Sequence, residues 1–371
     1  LFPYTTLFRS PSNRFSSRIL KYLKLHYNPE GDLAGASLLS LLLDRGRVMR
    51  SGTSGLNFSI FYKLLAGITA EERHMLGVLP QREYRLLLDD HFNEGEHDDL
   101  LALEFGMLRT ALTEIEVTDA EQSVVWGILS AILLVGNIEF HESDTITVTP
   151  TTIACLEQAE SLFGIPQDSL RNALLYKSVG LAKVPLKLDD VMVTRDSLAC
   201  GLFEQLFRYL LHRGNSTLER RCTEKFQLAL QQWRQLAHDE NIQEPMFVGV
   251  LDPMGFEVCE QNSLRQLLAN YTEERLLQYF ITQTFKSEAE NYAVENIVWN
   301  AVAYDDNVAV LDTLDKKPIG IFSLLDEATM FPRAVDSSLL QKIQSSHSKN
   351  SKVSNGTRQL FHTHFVVHHT H

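Results

Sequence analysis

The chain has 371 residues, 44% of them apolar and 22% charged, which is enough for two or three structural units with sizeable cores. With 34 basic against 47 acidic residues the formal charge is −13, which argues against a general nucleic-acid binder, since that needs a basic footprint. Cys155, Cys200, Cys222 and Cys259 lie far apart with no CxxC, no secretory signal is visible, and no apolar run approaches ~18 residues, so the expectation is a reduced, cytoplasmic protein without a disulfide framework or membrane span.

Residues 1–10 have no clear period and match nothing downstream; they read as non-native sequence or a disordered terminus. From Ile19 to Tyr27 apolar and polar residues alternate, predicting a half-buried strand that a turn at Asn28–Gly31 closes. Residues 33–43 (LAGASLLSLLL) are a second apolar run, read as strand then helix, or as buried strand. The spacing predicts a helix over 56–67 ending on Gly67 as a C-cap. Two more helices are expected over 98–115 and 119–136, the second opened by a capping box of Asp119 and Gln122. A short strand at 145–150 and short helices at 151–163 and 167–176 follow. Leu198, Leu202, Leu206 and Leu210, widened by Phe203, Phe207 and Leu211, form a core-facing stripe on a helix at 196–214, and 217–238 continue helically. Val248 to Leu251 reads as a buried strand, and 263–295 as one helix of roughly 33 residues. Strands alternating with helices indicate the α/β class.

The chemistry concentrates in Val248-Gly-Val-Leu-Asp-Pro-Met-Gly-Phe-Glu257. An apolar strand ending in a carboxylate, then a glycine with a bare N–H, suits a nucleotide phosphate and its Mg2+. Asp and Gly after a strand are also ordinary turn residues, so this run alone is not decisive.

Seven segments in order resemble a myosin motor (head) domain of the unconventional type over residues 13–371. Asn13-x-x-Ser16-Ser17-Arg18 resembles switch I. Leu56 to Gly67 (LNFSIFYKLLAG) and Ile128 to Phe140 (ILSAILLVGNIEF) resemble two family helices. Arg195-Asp-Ser-Leu-Ala199 resembles the start of the long helix joining the two large subdomains. Leu251 to Glu257 resembles switch II, and Asn262-Ser263 with Asn270 to Leu276 the relay helix. Lys317 to Glu327 with Met330-Phe-Pro332 resembles the actin-binding helix–loop–helix.

The resemblance implies a P-loop NTPase-like motor core, a partial one, with a mixed central (transducer) sheet surrounded by helices. About 11–214 would carry switch I and the upper large subdomain; about 215–371 would carry switch II, the relay helix and the lower one. It implies a cytoplasmic, actin-based motor that binds and hydrolyses ATP with Mg2+. Asn13 would bind the nucleotide, Ser16 the γ-phosphate and attacking water, Ser17 the metal, and Asp252 the metal through water. The Gly255 N–H would donate to the γ-phosphate, and Arg18 with Glu257 would close the switches as an ion pair. Actin would meet Lys183 in the loop at 177–192, and an exposed apolar tip of Pro318, Ile319, Ile321, Phe322, Met330, Phe331 and Pro332.

The departures are specific. Ser16-Ser-Arg-Ile-Leu-Lys21 has Leu20 where the family has glycine, and Pro253 follows Asp252 where the family has an aliphatic residue. No GxxxxGK[ST] phosphate loop occurs. The expectation is a fragment lacking phosphate loop, converter and neck, so light chains or calmodulin would bind only through an absent neck. The piece alone is expected neither to hydrolyse ATP nor to fold stably. The alternative is a pseudo-motor, a non-hydrolysing actin-binding scaffold. His362, His364, His368, His369 and His371 are read as strand residues rather than a zinc site, and Trp126, Trp233 and Trp299 as buried.

Overall fold

The computed structural model describes residues 19–28, 31–49, 57–87, 98–143, 145–180, 182–222, 224, 226–228, 231, 246–256, 263–300, 302–331, 335–355 and 365–369. The chain divides into two compact units, Leu1–Met254 and Gly255–His371.

The first unit opens with β1 (Ile19–Tyr27), in the strand predicted by its alternation. It runs antiparallel to β2 (Leu33–Leu43), which stays extended throughout and exposes much of its length instead of becoming helical or buried. Asn28 makes the turn: its carbonyl accepts from the Gly31 N–H at 3.0 Å and its side chain from the Asp32 N–H at 2.7 Å. Gly31 has φ +89°, which only glycine adopts without strain. Leu20 is buried at 6% exposure, beside a register shift between Leu20 and Lys21, and has no positive φ. The residue that replaces the family glycine is therefore an ordinary strand residue here.

A helical layer follows: α1 (Ser59–Gly67), α2 (Ala70–Met75), α3 (Asp98–Glu114) and α4 (Asp119–Asn137). Gly67 is the last residue of α1, and the C-cap is Ile68 in extended conformation, not a left-handed glycine. Gly67 serves packing: a Cβ there would lie 2.5 Å from the Phe105 side chain. The capping box of α4 is Thr118 with Glu121, one residue before the expected pair, because the Thr118 hydroxyl accepts from the Glu121 N–H while the Glu121 carboxylate accepts from the Thr118 N–H. α4 is long and apolar enough to cross a membrane, but Val125, Trp126, Leu129, Ile132, Leu133 and Val135 are buried in protein, so it is a core helix.

The hairpin β3 (Phe140–Glu142) and β4 (Ile146–Val148) leads to α5 (Ile153–Phe163) and α6 (Ser169–Leu175). A second hairpin, β5 (Tyr176–Val179) with β6 (Ala182–Pro185), precedes α7 (Leu188–Arg220). α7 begins earlier than expected and runs to Arg220; beyond a turn at Arg221 and Cys222, residues 224, 226–228 and 231 are helical again, in line with the helical reading over 217–238, and 232–238 lie outside the described residues. Its Phe203 and Leu206 are buried against Phe61, Phe105, Trp126, Leu129 and Ile132, as the stripe predicted. Each such side chain contributes about 1.5–3 kcal/mol by burial. Asn215 of α7 binds β2 as a strand would, accepting from the Leu38 N–H at 2.8 Å and donating to the Leu38 carbonyl at 2.7 Å.

β7 (Phe247–Asp252) pairs antiparallel with β1, giving the order β2-β1-β7. It was read as a buried strand, yet Val248 and Val250 are exposed. Among the described residues β7 pairs with β1 alone.

The second unit contains α8 (Leu264–Ile281), a π-helical turn (Thr282–Lys286) and α9 (Ser287–Val294), so the long helix predicted at 263–295 is continuous but interrupted by one wide turn. A Ser263–Gln266 capping box starts α8. α10 (Val308–Asp315), α11 (Ile321–Met330) and α12 (Asp336–Ser346) enclose a small core of Val310, Leu314, Ile321, Leu324 and Ile343. The hairpin β8 (Val353–Asn355) with β9 (Phe365–Val367) closes the unit.

Candidate functional site

In the first unit the site begins where β7 ends. The register sets Lys21 of β1 directly opposite Asp252, on the same face, and their side chains form an ion pair at 3.1 Å. Lys21 and Asp252 both remain partly exposed, so the carboxylate is accessible rather than sealed in a core.

In the second unit Gly255 has φ +83°, a conformation that strains any residue with a Cβ. Its N–H donates to Glu273 Oε1 of α8 at 2.6 Å, a short charge-assisted bond. This stretch of α8 is anchored on several sides. Glu274 is fully buried, accepts from Asn307 Nδ2 at 2.6 Å through its carboxylate and at 2.7 Å through its own carbonyl, and meets His369 Nδ1 at 3.1 Å. The His369 ring also lies edge-on to Phe256, centroids 4.7 Å apart. One turn away the Tyr271 hydroxyl donates to Asp315 Oδ2 at 2.6 Å, and its ring packs edge-on against Phe322 at 5.0 Å. Burial, then the Asp315 carboxylate, pushes the Tyr271 phenol above its ordinary value, so it stays a donor. Lys286, in the π turn, pairs with Asp306 at 2.8 Å; that bond raises the lysine and lowers the aspartate.

α8 thus connects the segment after β7 to α10 and α11. Gly255 is bonded to α8 at Glu273, and α11 packs on it at Tyr271. Two discrete packings of such a helix would make it a transmitting element.

Of the residues singled out by sequence, Asp252 and Gly255 occupy the strand end and the following turn. Asn13, Ser16, Ser17, Arg18, Glu257 and Pro332 lie outside the described residues. Lys183 is exposed on β6. Ile319, Met330 and Phe331 are exposed, Met330 at 81%. The expected apolar tip is nevertheless smaller than read: Ile321 is 2% exposed and belongs to the core, and Phe322 is half-buried against Tyr271. α11 turns those two side chains inward. The Ile319 carbonyl is fixed by His347 Nε2 at 2.9 Å, which sets the loop that presents Ile319. Trp126 is buried as expected, Trp299 is only half-buried beside Tyr292, and Trp233 lies outside the described residues.

Sequence reasoning gave no individual role to Lys21, Tyr271, Glu273, Glu274 or Asn307, and weighed His369 only as a strand residue against a zinc ligand. Only Glu273-Glu274 carried a signal, as adjacent acids at the middle of a helix that also bears Asn270 and Tyr271.

A family model for the myosin head (motor domain) matches residues 9–371. The chain is 33% identical over 354 residues to myosin IE heavy chain of Dictyostelium discoideum, covering 91% of this chain and 33% of that protein. It is 31% identical over 371 residues to unconventional myosin-VIIb of Mus musculus, covering 96% and 16%. It is 30% identical over 368 residues to myosin IA heavy chain of Dictyostelium discoideum, covering 96% and 35%. The chain spans roughly a third or less of the length of these relatives.

Proposed function

Because the chain belongs to the myosin head (motor domain) family, we propose that it is the central part of an actin-based motor that binds and hydrolyses ATP and passes nucleotide state to α8. The observation that supports this reading is the Gly255 N–H donating to Glu273 of α8: the residue that would sense the phosphate is bonded to a helix that also bonds α10 and packs against α11.

The residues present fit a nucleotide with Mg2+. Asp252 supplies a hard, partly exposed carboxylate oxygen, suited to a water-bridged cation. Gly255 supplies a backbone N–H where a Cβ would be strained. Ser17 and Asp252 would hold the metal, the latter through water; Asn13, Ser16 and Gly255 would hold the nucleotide. Bound Mg2+ would neutralise charge on the phosphate oxygens. Arg18 and Glu257 would pair and exclude bulk water, leaving one water positioned for in-line attack. The core would be P-loop NTPase-like, with β2-β1-β7 as part of its central sheet. Residues 11–214 would form the upper part and 215–371 the lower.

Actin would be met by Ile319, Met330, Phe331, Pro318 and Pro332, with Lys183 supplying a charge for an acidic filament. Ile321 and Phe322 would position this surface from beneath rather than touch the filament. The protein would work in the cytoplasm on the actin cytoskeleton.

The test is single-turnover ATP hydrolysis by the full natural polypeptide, with and without actin filaments. The reading predicts Mg2+-dependent hydrolysis whose product release is accelerated by actin. Filament binding without hydrolysis would overturn the catalytic part, and neither would overturn the whole.

A further inference from the structure

The bond between the Gly255 N–H and Glu273 raises a question of occupancy. An amide N–H at 2.6 Å from a carboxylate oxygen is well satisfied by an anion. The same donor is the one assigned above to the terminal phosphate, another anion. The N–H has a single proton and cannot serve both at full strength. The helix backbone that carries Glu273 is anchored on both sides, Glu274 against Asn307 and His369 and Tyr271 by Asp315 and Phe322, so the carboxylate is presented to Gly255 from a fixed base and yields only by rotation of its own side chain.

We infer that Glu273 is a specificity-determining residue that sets the preference between nucleoside triphosphate and nucleoside diphosphate, by occupying the phosphate-sensing N–H of Gly255 with an internal carboxylate. The inference rests on the nucleotide reading of Asp252 and Gly255. A triphosphate must displace the carboxylate and place its terminal phosphate near a like charge. A diphosphate has no group at that position and leaves the bond intact. The carboxylate therefore weakens triphosphate binding selectively.

The experiment compares wild type with Glu273→Gln in the full natural polypeptide. Glutamine keeps an acceptor oxygen of the same reach but carries no charge. Calorimetric titration with MgADP and with the magnesium complex of a non-hydrolysable β,γ-imido triphosphate gives the ratio of the two affinities. Removing the charge should shift that ratio toward the triphosphate by about fivefold or more, as a charge-assisted bond is roughly twice as strong as a neutral one. A ratio within about twofold of wild type, with both nucleotides bound, overturns this inference and leaves the nucleotide reading standing. Equal weakening of both nucleotides together with a lowered melting temperature marks a purely structural role and also overturns it. No binding of either nucleotide by wild type or variant overturns both. Should Glu273→Gln not fold, Glu273→Asn provides the neutral side chain in shorter form, with the same expected direction.

Discussion

Replacing Glu274 with alanine perturbs the anchorage of α8 at its most buried point. The carboxylate has no exposed surface and accepts from Asn307 Nδ2 at 2.6 Å, and it meets His369 Nδ1 at 3.1 Å. Truncation leaves His369 without this partner at the end of β9, and takes from Asn307 Nδ2 its carboxylate acceptor while keeping the Glu274 carbonyl at 2.7 Å. Each buried polar group that loses a partner costs about 1–3 kcal/mol, and a small cavity adds to this. About 3 kcal/mol is a fair sum for two partly compensated groups, equivalent to about 100-fold in a local opening equilibrium. Hydrogen exchange read by mass spectrometry on peptides covering residues 264–281 and 365–369 should therefore show about 100-fold less protection in both places. Glu274→Gln, which keeps an acceptor for Asn307, should lose far less. Protection within about twofold of wild type in Glu274→Ala would refute the view that this cluster holds α8 to the strand hairpin.

Gly67→Ala should destabilise the helical core by about 2 kcal/mol or more in urea unfolding, since its Cβ would overlap Phe105, which is itself pinned against Trp126 at 4.7 Å; an unchanged midpoint would contradict the packing assigned to α1 and α3. Thr118→Ala should lower stability by about 1 kcal/mol through loss of the N-cap of α4, and Thr118→Ser should restore it. Tyr84 is buried, and burial first of all pushes its phenol up to about 12 from an ordinary 10.0. A group raised in the folded state contributes stability that is complete below pH 10 and is lost as pH rises through about 12. Alkaline unfolding should thus coincide with phenolate absorbance of this tyrosine, and Tyr84→Phe should flatten that pH dependence; an identical alkaline limb in the variant would contradict it.

Much of the fold was legible because it rests on periodicity. The alternation after Ile19 gave β1, and the Leu/Phe stripe gave the buried face of α7. The start of α7 was not legible, because Asp189 and Asp190 look like loop while the helix already runs from Leu188. The cap of α4 was misplaced by one residue because Thr118 and Asp119 are both competent caps, and only the reach of Glu121 separates them. β7 was read as buried from its composition, but burial depends on neighbours rather than on the strand itself. Of the candidate site, the positions were legible: Asp252 ends an apolar strand and Gly255 takes a positive φ in the turn after it. Lys21 becomes a partner of Asp252 only through antiparallel register, and Glu273 reaches Gly255 only after the chain folds back. Ile321 and Phe322 were taken for surface because an apolar run has no inherent inside; the α11 helix turns them toward Leu314 and Tyr271.

The proposed Mg2+–nucleotide reading rests most directly on the carboxylate of Asp252 at the end of β7. Calorimetric titration of ATP into the full natural polypeptide, with magnesium and with the metal chelated, for wild type and Asp252→Asn, tests it directly. The account predicts tight binding by wild type that needs magnesium, and about tenfold or greater weakening in Asp252→Asn as the charge facing the cation is lost. Equal ATP affinity in wild type and variant, indifferent to magnesium, would contradict it.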